Sequence, residues 1–186
     1  MKKYLPFFVL IFFVSLIGIS TYKLSKTQEI VEGGIIDGDR EESRIHFNKT
    51  KIILPEFTLN DLFEEGKKFT KKDLIGKYSV INFFASWCTT CRMEHQILMN
   101  LKAEGIAEVY GVAFRDIDEN TKAFLSEHGN PFHRVAKDSK GIFTDIIGLK
   151  AVPETVIVDP NGDIVMRYRG NLQEFSVDEI REFVTR

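Results

Sequence analysis

Hydrophobic and polar positions along this chain follow two periods, one typical of strands and one of helices. The run "YSVINFFAS" (78–86) is β-branched and aromatic, which favours a strand buried in the middle of a sheet. Apolar residues then recur at helical spacing, namely Met93, Ile97, Leu98 and Leu101. Gly105 follows them and is the residue type that ends helices. The pattern therefore predicts a buried strand that leads directly into a helix.

The same pattern predicts further elements on both sides of this unit. Before it, "EFTLNDLFEEGKKFT" favours two short strands joined near Glu65–Gly66, followed by a turn at Gly76. After it, the predicted elements are a strand at 107–114, a helix at 118–128 closed by Gly129, a short strand near 132–135, a helical turn at 142–147, a hairpin at 154–170 with its turn at 159–162, and a helix at 176–186 with Ser176 as N-cap.

This order of strands and helices predicts the fold class. Strand, helix, strand and helix followed by a hairpin and a final helix give an α/β domain with a mixed central sheet flanked by helices. The chain of 186 residues has room for one such domain.

The N-terminus has a different pattern. After the lysines of "MKK", residues 4–22 contain no charge, and nineteen helical residues span roughly 28 Å, close to the ~30 Å hydrocarbon core of a bilayer. Tyr4 and Tyr22 at its edges and the lysines in front favour an anchor with its N-terminus inside. A cleaved signal peptide is the alternative, although the apolar run exceeds the usual length of such a segment. Either way, the rest of the chain is expected to be exported.

The expected organisation therefore has four parts. Residues 1–3 form a cytoplasmic N-terminus, 4–22 a transmembrane signal-anchor, 23–44 a polar linker, and 45–186 the folded domain. The net charge of −2, with acidic and basic residues interspersed, gives no reason to expect nucleic acid as a partner.

Both cysteines of the chain, Cys88 and Cys91, lie in "FFASWCTTCRMEH", where the predicted strand becomes a helix. A disulfide closing about four residues gains roughly 1.9 kcal/mol in the chain-entropy model, against ~3 kcal/mol for fifteen residues, so this spacing is a poor staple. A helix N-terminus, in contrast, stabilises a thiolate. The position predicts a reactive dithiol in which Cys88 is the nucleophile and Cys91, one turn later and more buried, resolves the mixed disulfide. Trp87 beside them is either an aromatic platform at the active sulfur or a plain core residue.

A metal site is the alternative chemistry for these cysteines. A structural zinc site needs four ligands, and the chain has no second C-x-x-C pair. His95 could share the helix face of Cys88 and Cys91 in a copper or zinc site, but a solvated helix histidine is favoured. No metal is expected.

At the level of motifs, "VINFFASWCTTC" followed far downstream by "AVPETVIVD" resembles the thioredoxin superfamily. "CRMEHQILMNLKAEGI", "SEHGNPF", "VPETVIVDPNG" and "YRGNL" resemble, in the same order, the membrane-anchored thiol–disulfide oxidoreductases of cytochrome c maturation, the CcmG/DsbE kind. The resemblance covers residue 57 to the C-terminus. It implies a thioredoxin-like fold with an N-terminal hairpin extension and a strand–helix insertion between Val109 and Phe132.

The resemblance also implies site residues. Val152–Pro153 would be a cis peptide facing the cysteines, and the Val152 backbone would pair with an extended substrate. Glu94 matches a glutamate of the reducing members and is the candidate for handling the proton of Cys91. Its alternative role is to complement the helix dipole. Glu154 follows the proline directly and is either part of the substrate-binding groove or a surface carboxylate.

Two further positions differ from family patterns. Asn82 stands where many thioredoxins have a buried aspartate, which leaves Glu94 as the nearby proton acceptor. Thr89–Thr90 occupies the dipeptide between the cysteines, where the family usually has a proline. Negative charge near Cys88 disfavours its thiolate and therefore the reduced form, which favours a reductase.

The expected function is a thiol–disulfide oxidoreductase that reduces the C-x-x-C-H disulfide of apocytochrome c during cytochrome c biogenesis. The alternatives are a reductase for another exported protein, such as one that assembles a copper site, and a Cys/His metal-binding assembly chaperone. No cofactor beyond the Cys88–Cys91 pair is expected. The resemblance implies a membrane electron donor as partner and a bacterial inner-membrane, single-pass location with the catalytic domain in the periplasm, where the chain is expected to act as a monomer.

Overall fold

The strand that precedes the cysteines, β5 (Ser79–Phe84), lies in the middle of a mixed sheet, and all six of its residues are buried.

A computed structural model of the chain describes residues 44–46 and 52–185. The predicted anchor at 4–22 and the predicted linker at 23–44, except its last residue, lie outside these residues. None of the helices within 52–185 is long and apolar enough to cross a membrane.

The described residues form nine strands and four α-helices. The other strands are β1 (Arg44–His46), β2 (Ile52–Ile53), β3 (Thr58–Asp61), β4 (Lys68–Thr70), β6 (Glu108–Phe114), β7 (Arg134–Asp138), β8 (Glu154–Val158) and β9 (Asp163–Arg169). The helices are α1 (Thr89–Glu104), α2 (Asp118–His128), α3 (Ile142–Ile146) and α4 (Glu174–Val184), and a 3₁₀-helix covers Lys71–Leu74.

The sheet is mixed, as predicted. Its order is β1-β9-β8-β5-β6-β7-β3-β4, and β2 also pairs with β9. The pairs β5–β6 and β6–β7 are parallel, whereas β8 runs antiparallel to β5. The carboxyl ends of the parallel strands therefore meet at one edge of the sheet, where the cysteines follow β5.

Two hydrophobic layers cover the two faces of the sheet. On one face, Leu98 of α1, Phe124 of α2 and Ile180 of α4 pack in a cluster with Val80 of β5. On the other face, Phe143 of α3 and the hairpin β3–β4 pack against Ile81 and Phe83. Successive β5 residues alternate between the layers because side chains of a strand point to opposite faces.

Most predicted elements are confirmed with small shifts. The helix 118–128 has the predicted bounds, and Gly105 caps α1 in the left-handed conformation at φ 67°. The short strand predicted near 132–135 is β7 at 134–138. Phe132 lies before the strand, and its ring stacks on that of Phe84 with centroids 4.8 Å apart.

The prediction that Ser176 caps the last helix is wrong. Helix α4 begins two residues earlier, with Gln173 as N-cap. The Ser176 hydroxyl instead accepts a hydrogen bond from the Gln173 N–H at 3.2 Å, so the serine occupies the third helical position. Gln173 at the N-cap and Ser176 at the third helical position therefore form a capping box, in which Ser176 is the inner partner and not the cap.

Candidate active site

The two cysteines lie at the N-terminus of α1, immediately after the central strand. Cys88 is the N-cap residue, and its Sγ accepts a hydrogen bond from the Cys91 N–H at 3.1 Å. The Cys88 N–H in turn donates to the Ala85 carbonyl at 3.1 Å, which closes the turn after β5. An anionic sulfur at this position is stabilised by the helix dipole and by an otherwise unpaired backbone N–H.

Cys88 and Cys91 form a disulfide with a Cα–Cα distance of 5.3 Å. Both residues are largely covered: Cys88 is 5% exposed and Cys91 3% exposed. The predicted order of burial holds, but the difference is small, so access to the pair depends on the groups around Cys88. One of them is Thr90, whose hydroxyl lies 3.3 Å from Cys88 Sγ and donates to it.

The loop before β8 lies against the disulfide. The Val152–Pro153 peptide is cis, as the resemblance implies, and the Val152 carbonyl oxygen lies 3.6 Å from Cys88 Sγ. Residues 64 positions apart in sequence therefore share one site. A backbone carbonyl at this position can accept a hydrogen bond from an extended peptide laid across the sulfur.

Trp87 lies on the surface next to Cys88. It is 60% exposed, and its indole Nε1–H donates to the Arg115 carbonyl at 3.3 Å. The core alternative is therefore wrong. An exposed indole beside a reactive sulfur offers a flat apolar surface to a partner.

Glu94 is fully buried and 0% exposed. Its Oε1 accepts from the Asn82 side-chain amide at 2.7 Å, and its Oε2 accepts from the Leu172 N–H at 2.6 Å. Burial raises the pKa of Glu94 to about 7, although both hydrogen bonds oppose the shift. The carboxyl group is thus held inside the protein by partners outside α1, and its role with the proton of Cys91 stays a prediction.

Glu154 is buried as well, so the surface alternative is wrong for it too. Its Oε1 lies 3.2 Å from Arg167 Nε, and the Arg167 guanidinium also donates to the Ile147 carbonyl at 2.8 Å. Burial raises the pKa of Glu154, and Arg167 opposes this shift. Removing either partner of such a pair would leave an uncompensated charge inside the protein.

The two glutamates lie on opposite faces of the sheet. Thr155 of β8 accepts a hydrogen bond from Asn82 at 2.9 Å, on the same side as Glu94. Because neighbouring residues of a strand face opposite ways, Glu154 points to the other layer, as does Val156. Glu94 of α1 therefore lies on one side of the sheet, and Glu154, directly after Pro153, lies on the other.

The histidine considered for a metal site has a different environment from the one predicted. His95 is buried, packs against Phe124 with ring centroids 4.9 Å apart, and its Nε2 lies 2.9 Å from the Gly129 carbonyl. Burial lowers the pKa of His95. The prediction of a solvated histidine is wrong, and within 52–185 no group of three His, Cys, Asp or Glu residues is arranged to hold a metal ion.

Sequence reasoning missed three residues around the turn that precedes Cys88. The Asp116 carboxylate accepts hydrogen bonds from the Ser86 N–H at 2.5 Å and from the Ser86 hydroxyl at 2.9 Å. Arg92 donates from Nε and Nη2 to the Ser86 carbonyl at 3.1 and 2.8 Å. The available signal for Asp116 was its position directly after a parallel strand, at the edge of the sheet where the cysteines lie.

This fold and this dithiol at a helix N-terminus define a family. The Redoxin family model matches residues 49–182, and the chain belongs to that family. Within it, the chain is of the DsbE type of the thioredoxin superfamily, as a relative that aligns along most of both chains indicates.

The relatives are both bacterial. The chain is 42% identical over 107 residues to the thiol:disulfide interchange protein HelX of Rhodobacter capsulatus. The aligned region covers 57% of this chain and 60% of that protein. It is 32% identical over 169 residues to the thiol:disulfide interchange protein DsbE of Vibrio cholerae. Here the aligned region covers 91% of this chain and 85% of the relative. The chain thus spans less than two thirds of HelX.

The structures agree on the fold. MTB dsbF, in its mixed oxidized and reduced forms, is 27% identical with a TM-score of 0.59, covering 69% of this chain and 92% of that one. A putative thiol:disulfide interchange protein DsbE from Chlorobium tepidum has a TM-score of 0.60 at 23% identity. The match covers 74% of this chain and 96% of that chain. The predicted thioredoxin-like fold is confirmed.

Proposed function

We propose that this protein is a thiol–disulfide oxidoreductase that acts as a reductase. The observation that carries the proposal is the position of Cys88 Sγ: it is at the N-cap of α1, accepts the Cys91 N–H, and lies 3.6 Å from the Val152 carbonyl beside a cis-proline. Relatives with 42% and 32% identity carry the name thiol:disulfide interchange protein, which supports the same chemistry.

The reaction uses two sulfur exchanges. The Cys88 thiolate attacks one sulfur of a substrate disulfide, forms a mixed disulfide and releases the other substrate sulfur as a thiolate. Cys91 then loses its proton and attacks Cys88 Sγ, which releases the second substrate thiolate and leaves the Cys88–Cys91 disulfide. Two electrons pass to the substrate, and the dithiol supplies them without a bound cofactor.

Substrate binding is assigned to the groups around Cys88. The Val152 carbonyl accepts a backbone hydrogen bond from an extended substrate, with Pro153 setting the course of that loop. The exposed Trp87 indole packs against the substrate next to its disulfide. Glu154, buried behind the proline and paired with Arg167, supports this side of the site from within.

Glu94 is assigned the role of the base that accepts the thiol proton of Cys91. A general base works best when its pKa is close to the operating pH, and burial raises the pKa of Glu94 to about 7. Asn82, the neighbour of Glu94, holds the carboxylate oriented without taking the proton itself. When Cys91 attacks, the carboxylate accepts the thiol proton, either directly or through a water molecule.

The reducing direction follows from charge. A carboxylate that carries negative charge near the start of α1 disfavours the Cys88 thiolate, and therefore disfavours the reduced form. Such a dithiol gives up its electrons readily. The expected reduction potential is closer to the ~ −270 mV of thioredoxin than to the ~ −120 mV of the oxidant DsbA.

The proposed substrate is the C-x-x-C-H disulfide of apocytochrome c, which must be reduced before haem is attached. Support comes from the resemblance of the motifs between 57 and the C-terminus to the proteins of cytochrome c maturation. A membrane thiol–disulfide transporter would reduce the enzyme again. The charge-free stretch 4–22 would anchor the chain in the inner membrane, with the domain in the periplasm.

Trapping in the native host tests this proposal. In Cys91→Ala, Cys88 cannot be released from its mixed disulfide, so the partner should remain attached, whereas the matched Cys88→Ala variant should capture nothing. Apocytochrome c in the captured band supports the whole proposal. Capture of another exported protein alone, such as one that assembles a copper site, retains the chemistry and contradicts the substrate. Identical behaviour of the two variants contradicts the chemistry.

A further inference from the structure

A left-handed residue stands at the end of β6, opposite the turn that carries Cys88. Arg115 has φ 46°, although it is not a glycine. Residues with a Cβ adopt this conformation only where the surroundings over-determine it, and such positions cluster at functional sites. The conformation points the Arg115 carbonyl toward Trp87, whose indole N–H donates to it at 3.3 Å.

The next residue, Asp116, is the centre of a hydrogen-bond network. Its carboxylate accepts from the N–H and the hydroxyl of Ser86, at 2.5 and 2.9 Å. It also accepts from the Ile117 N–H at 2.8 Å and from the Thr121 hydroxyl at 2.9 Å, both at the start of α2. One side chain thus joins the beginning of α2 to Ser86, which lies two residues before Cys88.

The turn is held from the opposite direction as well. The Arg92 guanidinium donates twice to the Ser86 carbonyl, so the N–H, hydroxyl and carbonyl of Ser86 are all engaged. Ser86 is buried, and hydrogen bonds to charged groups are among the stronger ones in proteins. The turn before Cys88 is therefore held by two charged groups, Arg92 of α1 itself and Asp116 of the loop between β6 and α2.

We propose that Asp116 is a positioning residue for the thiol exchange. It fixes the Ser86–Trp87 turn, which places the Cys88 sulfur at the helix N-terminus and, together with the Arg115 carbonyl, holds the Trp87 indole beside it. The role rests on the proposed function, because it concerns the reactivity of Cys88. Asp116 contacts neither sulfur in the structure and acts through Ser86 and Trp87.

The experiment compares Asp116 with Asp118, which offers a matched control. Asp118 lies two residues later, and its carboxylate pairs with Lys137 Nζ at 2.7 Å, away from the turn. Asp116→Ala and Asp118→Ala remove the same charge. Trp87 is the only tryptophan of the chain, so its fluorescence anisotropy reports directly on the turn.

We expect Asp116→Ala to lower kcat/KM for reduction of a peptide disulfide by about ten- to hundredfold, the usual effect of small displacements of a reacting group. The Trp87 anisotropy of the folded, oxidised protein should fall with it. Asp118→Ala should change both quantities by less than about twofold. Asp116→Asn retains one acceptor oxygen and should lie between wild type and Asp116→Ala.

Equal activity and equal Trp87 anisotropy in the Asp116 and Asp118 variants would overturn the proposal. If Asp116→Ala does not fold, Asp116→Asn and Ser86→Ala decide, because each removes only part of the network, and an absence of loss in both contradicts the role. The fluorescence measurement is independent of activity. If the wild-type protein exchanges no disulfide, the proposed oxidoreductase function is contradicted. If the Trp87 anisotropy nevertheless falls only in the Asp116 variants, Asp116 still positions the turn.

Discussion

At the scale of single residues, Glu94 shows how burial sets a proton affinity. Its carboxyl group receives two hydrogen bonds, from Asn82 and from the Leu172 N–H, but lies wholly out of water. Desolvation outweighs both bonds and raises the pKa to about 7, against 4.5 for an ordinary glutamate. The folded protein therefore binds this proton more tightly than the unfolded chain does.

This difference predicts a pH-dependent stability. The contribution of Glu94 is fully present below about pH 4.5 and is lost as the pH rises through 7, by on the order of 3 kcal/mol. Urea unfolding of the oxidised protein between pH 4.5 and 8 should show this fall. In Glu94→Gln the same curve should be flatter, because glutamine does not titrate. Parallel curves for the two proteins would show that Glu94 has an ordinary proton affinity.

Thr90 supports a second prediction at this scale. Its hydroxyl donates to Cys88 Sγ, and the bond strengthens when the sulfur becomes a thiolate. Thr90→Val, which removes the hydroxyl at nearly constant shape, should destabilise the thiolate and make the reduction potential about 30 mV more negative, equivalent to ~1.4 kcal/mol.

Thr89→Val is the matched control, because Thr89 is the adjacent threonine of the same turn and both residues are exposed. Equilibration with glutathione measures the potential, and absorbance near 240 nm at pH 7 measures the thiolate fraction. A shift of the same size in both variants would assign the effect to the helix turn rather than to the Thr90 hydroxyl.

At the scale of elements, close packing of β6 depends on a residue without a side chain. Gly111 lies opposite Asn82 in the sheet, and a Cβ built on it would lie 2.7 Å from the ring of Phe132. Phe132 in turn stacks on Phe84, with ring centroids 4.8 Å apart. The ring cannot give way without disturbing the layer that contains α1.

Gly111→Ala should therefore destabilise the protein by about 1–3 kcal/mol, the usual effect of overpacking. Gly105→Ala is the comparison. A Cβ at residue 105 has open space, but the residue has φ 67°, so the variant should lose only ~1 kcal/mol of unfolding free energy through backbone strain. Chemical unfolding of both variants gives the two values. A smaller loss at Gly111 than at Gly105 would contradict the packing described here.

The elements also show which parts of the fold local pattern can predict. Helix α2 and the hairpin β8–β9 match the prediction because their turns and caps are encoded within a few residues, as in Asp159–Gly162. The start of α4 does not. Gln173 and Ser176 can each cap a helix. Leu172, just before the observed N-cap, is buried and donates its N–H to Glu94 of α1, a contact with a distant segment that no local pattern contains.

At the scale of the whole molecule, the sheet gathers segments that are distant in sequence. Cys88 follows β5, Asp116 follows β6 and Val152 precedes β8, and all three approach the same edge. The redox state of the pair is therefore linked to the stability of the entire domain.

For a reductant, the oxidised form should be the more stable one. We expect the melting temperature to fall when the Cys88–Cys91 disulfide is reduced, because a dithiol that gives up electrons readily gains stability on oxidation. Calorimetry of the protein with and without a reducing agent measures the difference, and Cys88→Ala/Cys91→Ala shows any effect of the agent alone. A higher melting temperature in the reduced protein would indicate an oxidase.

The sequence by itself determined the mixed α/β class, the strand-to-helix position of Cys88 and Cys91, and the exceptional character of 4–22. Each of these depends on residues close together in the chain, where periodicity, capping and spacing act directly. Only the tertiary structure decided the environments of the charged groups: that Glu94 is buried with Asn82, that Glu154 pairs with Arg167, and that Asp116 holds the active-site turn. Burial and long-range pairing depend on which elements pack together, and no local pattern contains that information.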